Sequence, residues 1–277
     1  MDKDFWISIA KNDYKTPEDH TLEELTKTLF GYLSSADPEL RDDIAYIVYA
    51  NFLKREMYSK EDVQAHVKEL TSNLEKGIGE TDPDSVFLRS FSVLLLAEIV
   101  YNDNKKPLLG KDQVHFILEK ALQYLNAEKD PRGYVPVKGW VHALAHTADL
   151  MQELGKNRFS EKDELEKLLQ GIANKLVHST NWVYIHGEDE RLANAVMAMF
   201  QRDVVATDFL TDWLKSMTEP NKSWKGAYTD ENQVKAFHNT RNFLRSLSDT
   251  LRKSEDMPQK QEYQNSVFEA LGNLKPY

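Results

Sequence analysis

Apolar residues recur along this chain at helical spacing. In Leu22, Leu25, Thr26, Leu29, Phe30 and Leu33 they fall at i, i+3, i+4, i+7, i+8 and i+11, one face of an amphipathic helix. The stripe returns at Val63, His66, Val67, Leu70, Thr71 and Leu74, and again at Val114, Ile117, Leu118, Ala121, Leu122 and Leu125. A further copy runs through Leu165, Leu168, Leu169, Ile172, Ala173 and Leu176, and these last three begin 51 residues apart. Shorter copies start at Leu210 and Tyr263. Five other helical segments, more apolar in places, lie between them at about 39–54, 86–101, 139–154, 188–201 and 232–251. Ser59, Ser160 and Thr207 stand where helix N-caps are wanted.

About eleven helices in helix-pair units of roughly 50 residues make an all-α chain. A HEAT-like α-solenoid, or its closed relative the α/α toroid, is the expected architecture, because each unit then packs only on its neighbours. No internal boundary breaks the pattern, so residues 1–277 are read as a single α-helical repeat domain.

The connections are of two kinds. Those inside a unit are compact, such as GKNRFS. Those leading into the alternate helices are longer: ADPELRD, GETDPDSVFLR, KDPRGYVPVKGW, STNWVYIHGEDER and NKSWKGAYTDE. In such a repeat the long loops emerge together on one edge, which makes that edge the place to look for function. Acidic residues there also have a plain structural use at helix N-termini.

One segment, Gly139 to Asp149, carries candidate chemistry. On a helix, His142 and His146 stand one turn apart and Asp149 falls on the same face. Two imidazoles at that spacing chelate a divalent metal such as zinc, with the carboxylate as third ligand or as the group orienting a ring. Shifted by 51 residues, the histidines align with Phe91 and Leu95 on one side and with Ala193 and Met197 on the other. They thus replace mainly apolar positions. Asp149 aligns with Glu98, an acid in an apolar run that needs a partner. A buried histidine–carboxylate network that only fixes helix packing fits the same residues, since the spacing lacks the general-base Glu of HExxH.

A second group, His186, Glu188, Asp189, Glu190 and Arg191, follows Trp182 and Tyr184 and could reach the histidines from the next unit. Arginines recur near helix starts at Arg41, Arg89, Arg191 and Arg241. They suit a ladder of ion pairs between units. Alternatively, Arg89 and Arg191 form an anion pocket beside the histidines, because guanidinium grips carboxylate or phosphate with two bonds. With Trp140, Trp182, Tyr184 and Glu190 they are the ligand-pocket candidates.

Composition narrows the function classes. A net charge of −10 and a pI near 5.4 argue against nucleic acid and anionic membranes as partners. Purely apolar runs, such as residues 93–97, are far shorter than the ~20 residues of a membrane span. The absence of cysteine removes disulfides and thiolate sites and suits a reducing compartment. MDKDFWISIA has no basic start with an apolar core, so no secretory leader is expected and the cytoplasm is the expected location. No Walker A, GxGxxG, GxSxG, HExxH or EF-hand pattern occurs.

The stretches FLRSFSVLLLAEIV, RGYVPVKGWVHALAHTADLM and GEDERLANAV resemble those of a bacterial family, domain of unknown function 2785. The GWxHAxAHxAD pattern is the most specific part. The resemblance implies no activity. It draws attention to Arg89, Trp140, His142, His146, Asp149, Glu190 and Arg191. The expected function is therefore a helical-repeat protein binding a small ligand or a protein partner at the loop-rich edge near His142 and His146. The alternative is a metal-dependent hydrolase in which those histidines and a carboxylate hold the ion and activate a water.

Overall fold

The computed structural model describes residues 1–81, 83–219, 224, 226–255 and 257–275. Parts of two of the long loops, Asp82 and residues 220–223 and 225, lie outside the described residues. The described chain is mostly helical, with one two-stranded hairpin.

The helices are α1 (Lys3–Lys11), α2 (Leu22–Tyr32), α3, α4 (Lys60–Asn73), α5 (Ser85–Lys105) and α6 (Lys111–Ala127). The second half holds α7 (Ala143–Lys156), α8 (Lys162–Val177), α9 (Glu188–Phe200), α10 (Thr207–Thr218), α11 (Glu231–Lys253) and α12 (Lys260–Asn273). Helix α3 opens as a π-helix over Glu39–Tyr46 and continues as an α-helix over Ile47–Lys54. Strands β1 (Tyr134–Val135) and β2 (Gly139–Trp140) pair antiparallel between α6 and α7.

The stripes that recur every 51 residues are the buried faces of α4, α6 and α8. Helices α4, α6, α8, α10 and α12 pack each on the next, and α3, α5, α7, α9 and α11 do the same beside them. Two rows of helices share one apolar core. The first helix adds to the number expected. Its stripe is only two turns long, yet Trp6 and Ile9 are buried and Asp2 caps its start through the Phe5 amide at 2.9 Å. Ser59 caps α4 in a reciprocal box with Asp62. The caps of α8 and α10 are instead Glu161 and Ala206, one residue from the expected Ser160 and Thr207.

Helix α5 departs from the simple stripe. It is apolar on nearly all sides because it is wrapped by α3, α4 and α7. By length and composition it is apolar enough to cross a membrane, although no run within it is long and uninterrupted. Its apolar window is 67% buried inside the protein, as in the core helix of a globular chain.

Candidate functional site

The second row meets the long loop before α7 at an unusual backbone turn. A helix beginning at Gly139 was expected; α7 begins at Ala143 instead. Gly139 and Trp140 belong to β2, and the Val141 amide donates to the Gly133 carbonyl at 2.7 Å, which closes the hairpin. Gly139 holds φ +77°, where a Cβ would come within 2.8 Å of Pro38 Cβ. Val141 and Ala143 are both buried in a small cluster with Val86 and Phe87. Anchored on both sides, His142 takes a left-handed conformation, φ 49° and ψ 31°, and serves as the N-cap of α7.

The two histidines are therefore not one turn apart on one helix, as the spacing implied. His142 stands just ahead of the helix and His146 in its first turn, linked by the His146 amide to the His142 carbonyl at 2.9 Å. Their rings meet edge to face with centroids 5.7 Å apart. Trp140 lies flat on His142, centroids 4.2 Å apart and planes 24° off parallel. His186, from the loop before α9, approaches the same pair at 5.7 Å from Trp140 and 6.4 Å from His142.

Hydrogen bonds assign the tautomer of His146. Its Nδ1 lies 2.9 Å from Ser90 Oγ and 3.2 Å from the Ser90 carbonyl. The Ser90 hydroxyl donates its own hydrogen to the Val141 carbonyl. Both neighbours of Nδ1 are thus acceptors, so Nδ1 carries the proton and Nε2 a lone pair. Burial pushes His146 well below the usual histidine range, and the charges of His142 and Arg191 add to the effect. His142 falls to about 4 for the same leading reason, burial, opposed by a hydrogen bond with the His186 backbone. Its Nε2 is buried with no hydrogen-bond partner. Both rings are neutral at pH 7.

Charged groups close the other side of an open cleft of about 630 Å³. Arg191 Nη1 donates to Asp149 Oδ2 at 2.6 Å. Burial raises the Asp149 carboxyl above its ordinary value against the pull of Arg191. Asp42, from α3, is raised to about 6 by burial in spite of Arg41. Arg41 Nε lies 2.8 Å from Asp42 Oδ1, yet neither atom finds a well-directed hydrogen bond, so the contact is Coulombic. Tyr46, raised to about 12 by burial and by the charges of Glu98 and Asp149, and Leu94 complete the wall.

The cleft thus gathers Trp140, His142, His146, Asp149 and Arg191. The remaining candidates lie elsewhere. Arg89 is buried and grips Glu128 through Nε at 2.6 Å and Nη2 at 3.1 Å, so it is an internal ion pair and does not flank the histidines. Glu190 borders a groove between α9 and α11, and Tyr184 lines a cavity on the far side of α7. Trp182 packs against the main core with its indole nitrogen buried and unpartnered. Arg241 turns to His238 Nδ1 at 2.7 Å, and Asp189 accepts from Ser246 at 2.8 Å. Among the described residues no group of three His, Asp or Glu is placed to hold a metal ion. Asp149 has an oxygen committed to Arg191. Asp42 and Tyr46 were not expected, because they come from a helix about a hundred positions earlier in the chain.

A helical protein with an aromatic- and histidine-lined cleft is the class these features define. Residues 74–248 match the family described as Protein of unknown function (DUF2785), and the chain belongs to that family. The matched segment contains every cleft residue except Asp42 and Tyr46. No curated protein and no solved structure matches the chain.

Proposed function

We propose that this is a HEAT-like helical-repeat binding protein whose cleft between α3, α5, α7 and α9 takes a small neutral ring compound rich in O–H or N–H groups. The stepwise packing of the two helix rows and the 51-residue spacing of the stripes support the repeat reading. The observation that carries the binding reading is His142 Nε2, buried and unpartnered beside Trp140, which is itself 39% exposed. A buried polar atom without a partner costs about 1–3 kcal/mol, and a hydrogen bond to a ligand would recover that.

The rest of the cleft fits the same ligand. His146 Nε2 and the carboxylates of Asp149 and Asp42 are acceptors, while Arg191 is the main donor. An acceptor-rich wall beneath an indole face suits a donor-bearing ligand with a flat side. Sugar rings and nucleobases share that chemistry. The left-handed backbone at His142, a residue with a Cβ, stores about 1–3 kcal/mol and is of the kind that collects at binding sites. The acidic, cysteine-free composition fits the cytoplasm as the proposed location.

Isothermal titration with methyl glycosides and with nucleosides tests the reading. Saturable 1:1 binding by one class is expected, weakened at least tenfold (~1.4 kcal/mol) in Trp140→Ala and His142→Phe at unchanged helicity. Failure of both classes at millimolar concentration, or binding indifferent to both variants, would overturn it. The second reading is a metal-dependent hydrolase using His142, His146 and Asp149, favoured by the two imidazole lone pairs. It requires Asp149 to leave Arg191, and stoichiometric zinc uptake lost in His146→Ala would support it.

A further inference from the structure

A second cavity lies across α7 from the cleft. His142, His146 and Asp149 face the cleft, whereas Ala143, Leu144 and Thr147 face this cavity, as the rotation of about 100° per residue requires. Its volume is about 480 Å³, within the range of small-molecule sites. It sits among the ends of α6 and α8 and three of the long loops, on the edge singled out by the sequence.

The charges around it do not cancel. Glu128 and Asp130 lie in the wall, but both are buried and already held by arginine. Glu128 takes Arg89 through two bonds and the amides of Lys129 and Asp130 at 3.0 Å. Asp130 takes Arg132 Nε at 2.9 Å and the Arg132 amide at 3.1 Å. The charge left to the cavity is Lys175, with Lys129 on the rim. Lys175 Nζ donates to the Glu128 carbonyl at 2.7 Å, a neutral acceptor that satisfies one of three N–H groups. Asn126, Asn174 and Asn181 add side-chain amides, while Leu125, Leu144 and Tyr184 supply an apolar wall.

From this we infer that the cavity is a binding site for a small organic carboxylate, its anionic end on Lys175 and its apolar body against Leu125, Leu144 and Tyr184. The site is separate from the cleft and does not depend on the function proposed for it. The ammonium donates to a neutral carbonyl, and the Glu128 carboxylate whose charge also acts on it is already shared with Arg89. Burial accordingly pushes Lys175 down to about 8. A bound carboxylate would give the ammonium a counter-charge of its own, and the acids nearby are neutralised by Arg89 and Arg132. The first turn of α7 borders the same space without a side-chain cap.

The test uses the full chain with butyrate, benzoate and inorganic phosphate as probes in isothermal titration. Saturable 1:1 binding of benzoate or butyrate is expected, weakened at least tenfold in Lys175→Met and largely kept in Lys175→Arg. Lack of carboxylate binding by the wild type overturns the inference, as does equal binding by Lys175→Met. Preference for phosphate over both carboxylates overturns the ligand class. A further measurement on wild-type protein covers a variant that fails to fold. Reductive methylation of Lys175, followed by mass spectrometry, should slow at least fivefold under saturating benzoate, and an unprotected Lys175 contradicts the proposal.

Discussion

Arg191, in the first turn of α9, reaches across to Asp149 of α7, Nη1 to Oδ2 at 2.6 Å, and so ties together the two helices that floor the cleft. Both side chains keep about a third of their exposure, 37% and 31%, so solvent screens the pair. Replacing Arg191 by Met should therefore lower unfolding stability by under ~1 kcal/mol. It should also let the Asp149 carboxyl titrate at still higher pH, because the guanidinium now opposes the effect of burial. Carboxyl-carbon NMR titration of both proteins measures this, and a downward move in Arg191→Met contradicts the assigned pairing.

Arg89 and Glu128 differ in kind. Both are buried, 0% and 5% exposed, and joined by two bonds, so removing one leaves a charge stranded inside the protein. Arg89→Met should cost about 3–5 kcal/mol in urea unfolding. Adding Glu128→Gln should restore part of that loss, and a double variant as unstable as the single one would deny that the two charges are coupled.

Acid should loosen the fold through its buried imidazoles. His66 Nδ1 lies 3.1 Å from the Tyr49 hydroxyl, and burial pushes both His66 and His142 down to about 4 from 6.5. Between those values the unfolded chain holds more protons than the folded one, so their contribution is lost as pH falls through that window. Asp42 acts in the opposite sense. Raised from 3.8 to about 6, it favours the folded state at low pH, and that contribution is lost as pH rises through its window. The expected result is a lower urea midpoint at pH 5 than at pH 7, with the gap narrowed in His66→Asn. An unchanged gap in the variant would remove His66 from the account.

Gly133 offers a way to disturb the cleft from behind. A Cβ there would overlap the His186 imidazole, which must move aside. Gly133→Ala should keep its helicity, shift the His186 ring resonances and weaken cleft binding several-fold. Unshifted His186 resonances would show that the ring does not rest on this glycine.

Periodicity made the scaffold legible before the site. The stripe through Val63, Val114 and Leu165 needs only a repeating apolar face, and those residues are buried in α4, α6 and α8. The short α1 escaped notice because two buried positions, Trp6 and Ile9, do not establish a period. At the site, residue types pointed to the right neighbourhood: Trp140, His142, His146, Asp149 and Arg191 line one cleft. The backbone there was not legible. Helical spacing does not disclose that the hairpin anchors Val141 or that His142 turns left-handed before α7 begins. Asp42, Tyr46 and Lys175 were missed for a related reason. Each is an ordinary surface-type residue in its own helix, and only packing against distant elements buries it.

Nuclear magnetic resonance of the histidine ring nitrogens tests the central claim most directly. At pH 7 the free protein should show His142 and His146 as neutral rings, with His146 protonated on Nδ1. The His142 Nε2 resonance should then move on titration with whichever class, glycoside or nucleoside, the cleft accepts. A His142 ring that is protonated at pH 7, or an Nε2 resonance that ignores both classes while the protein stays folded, would contradict the account.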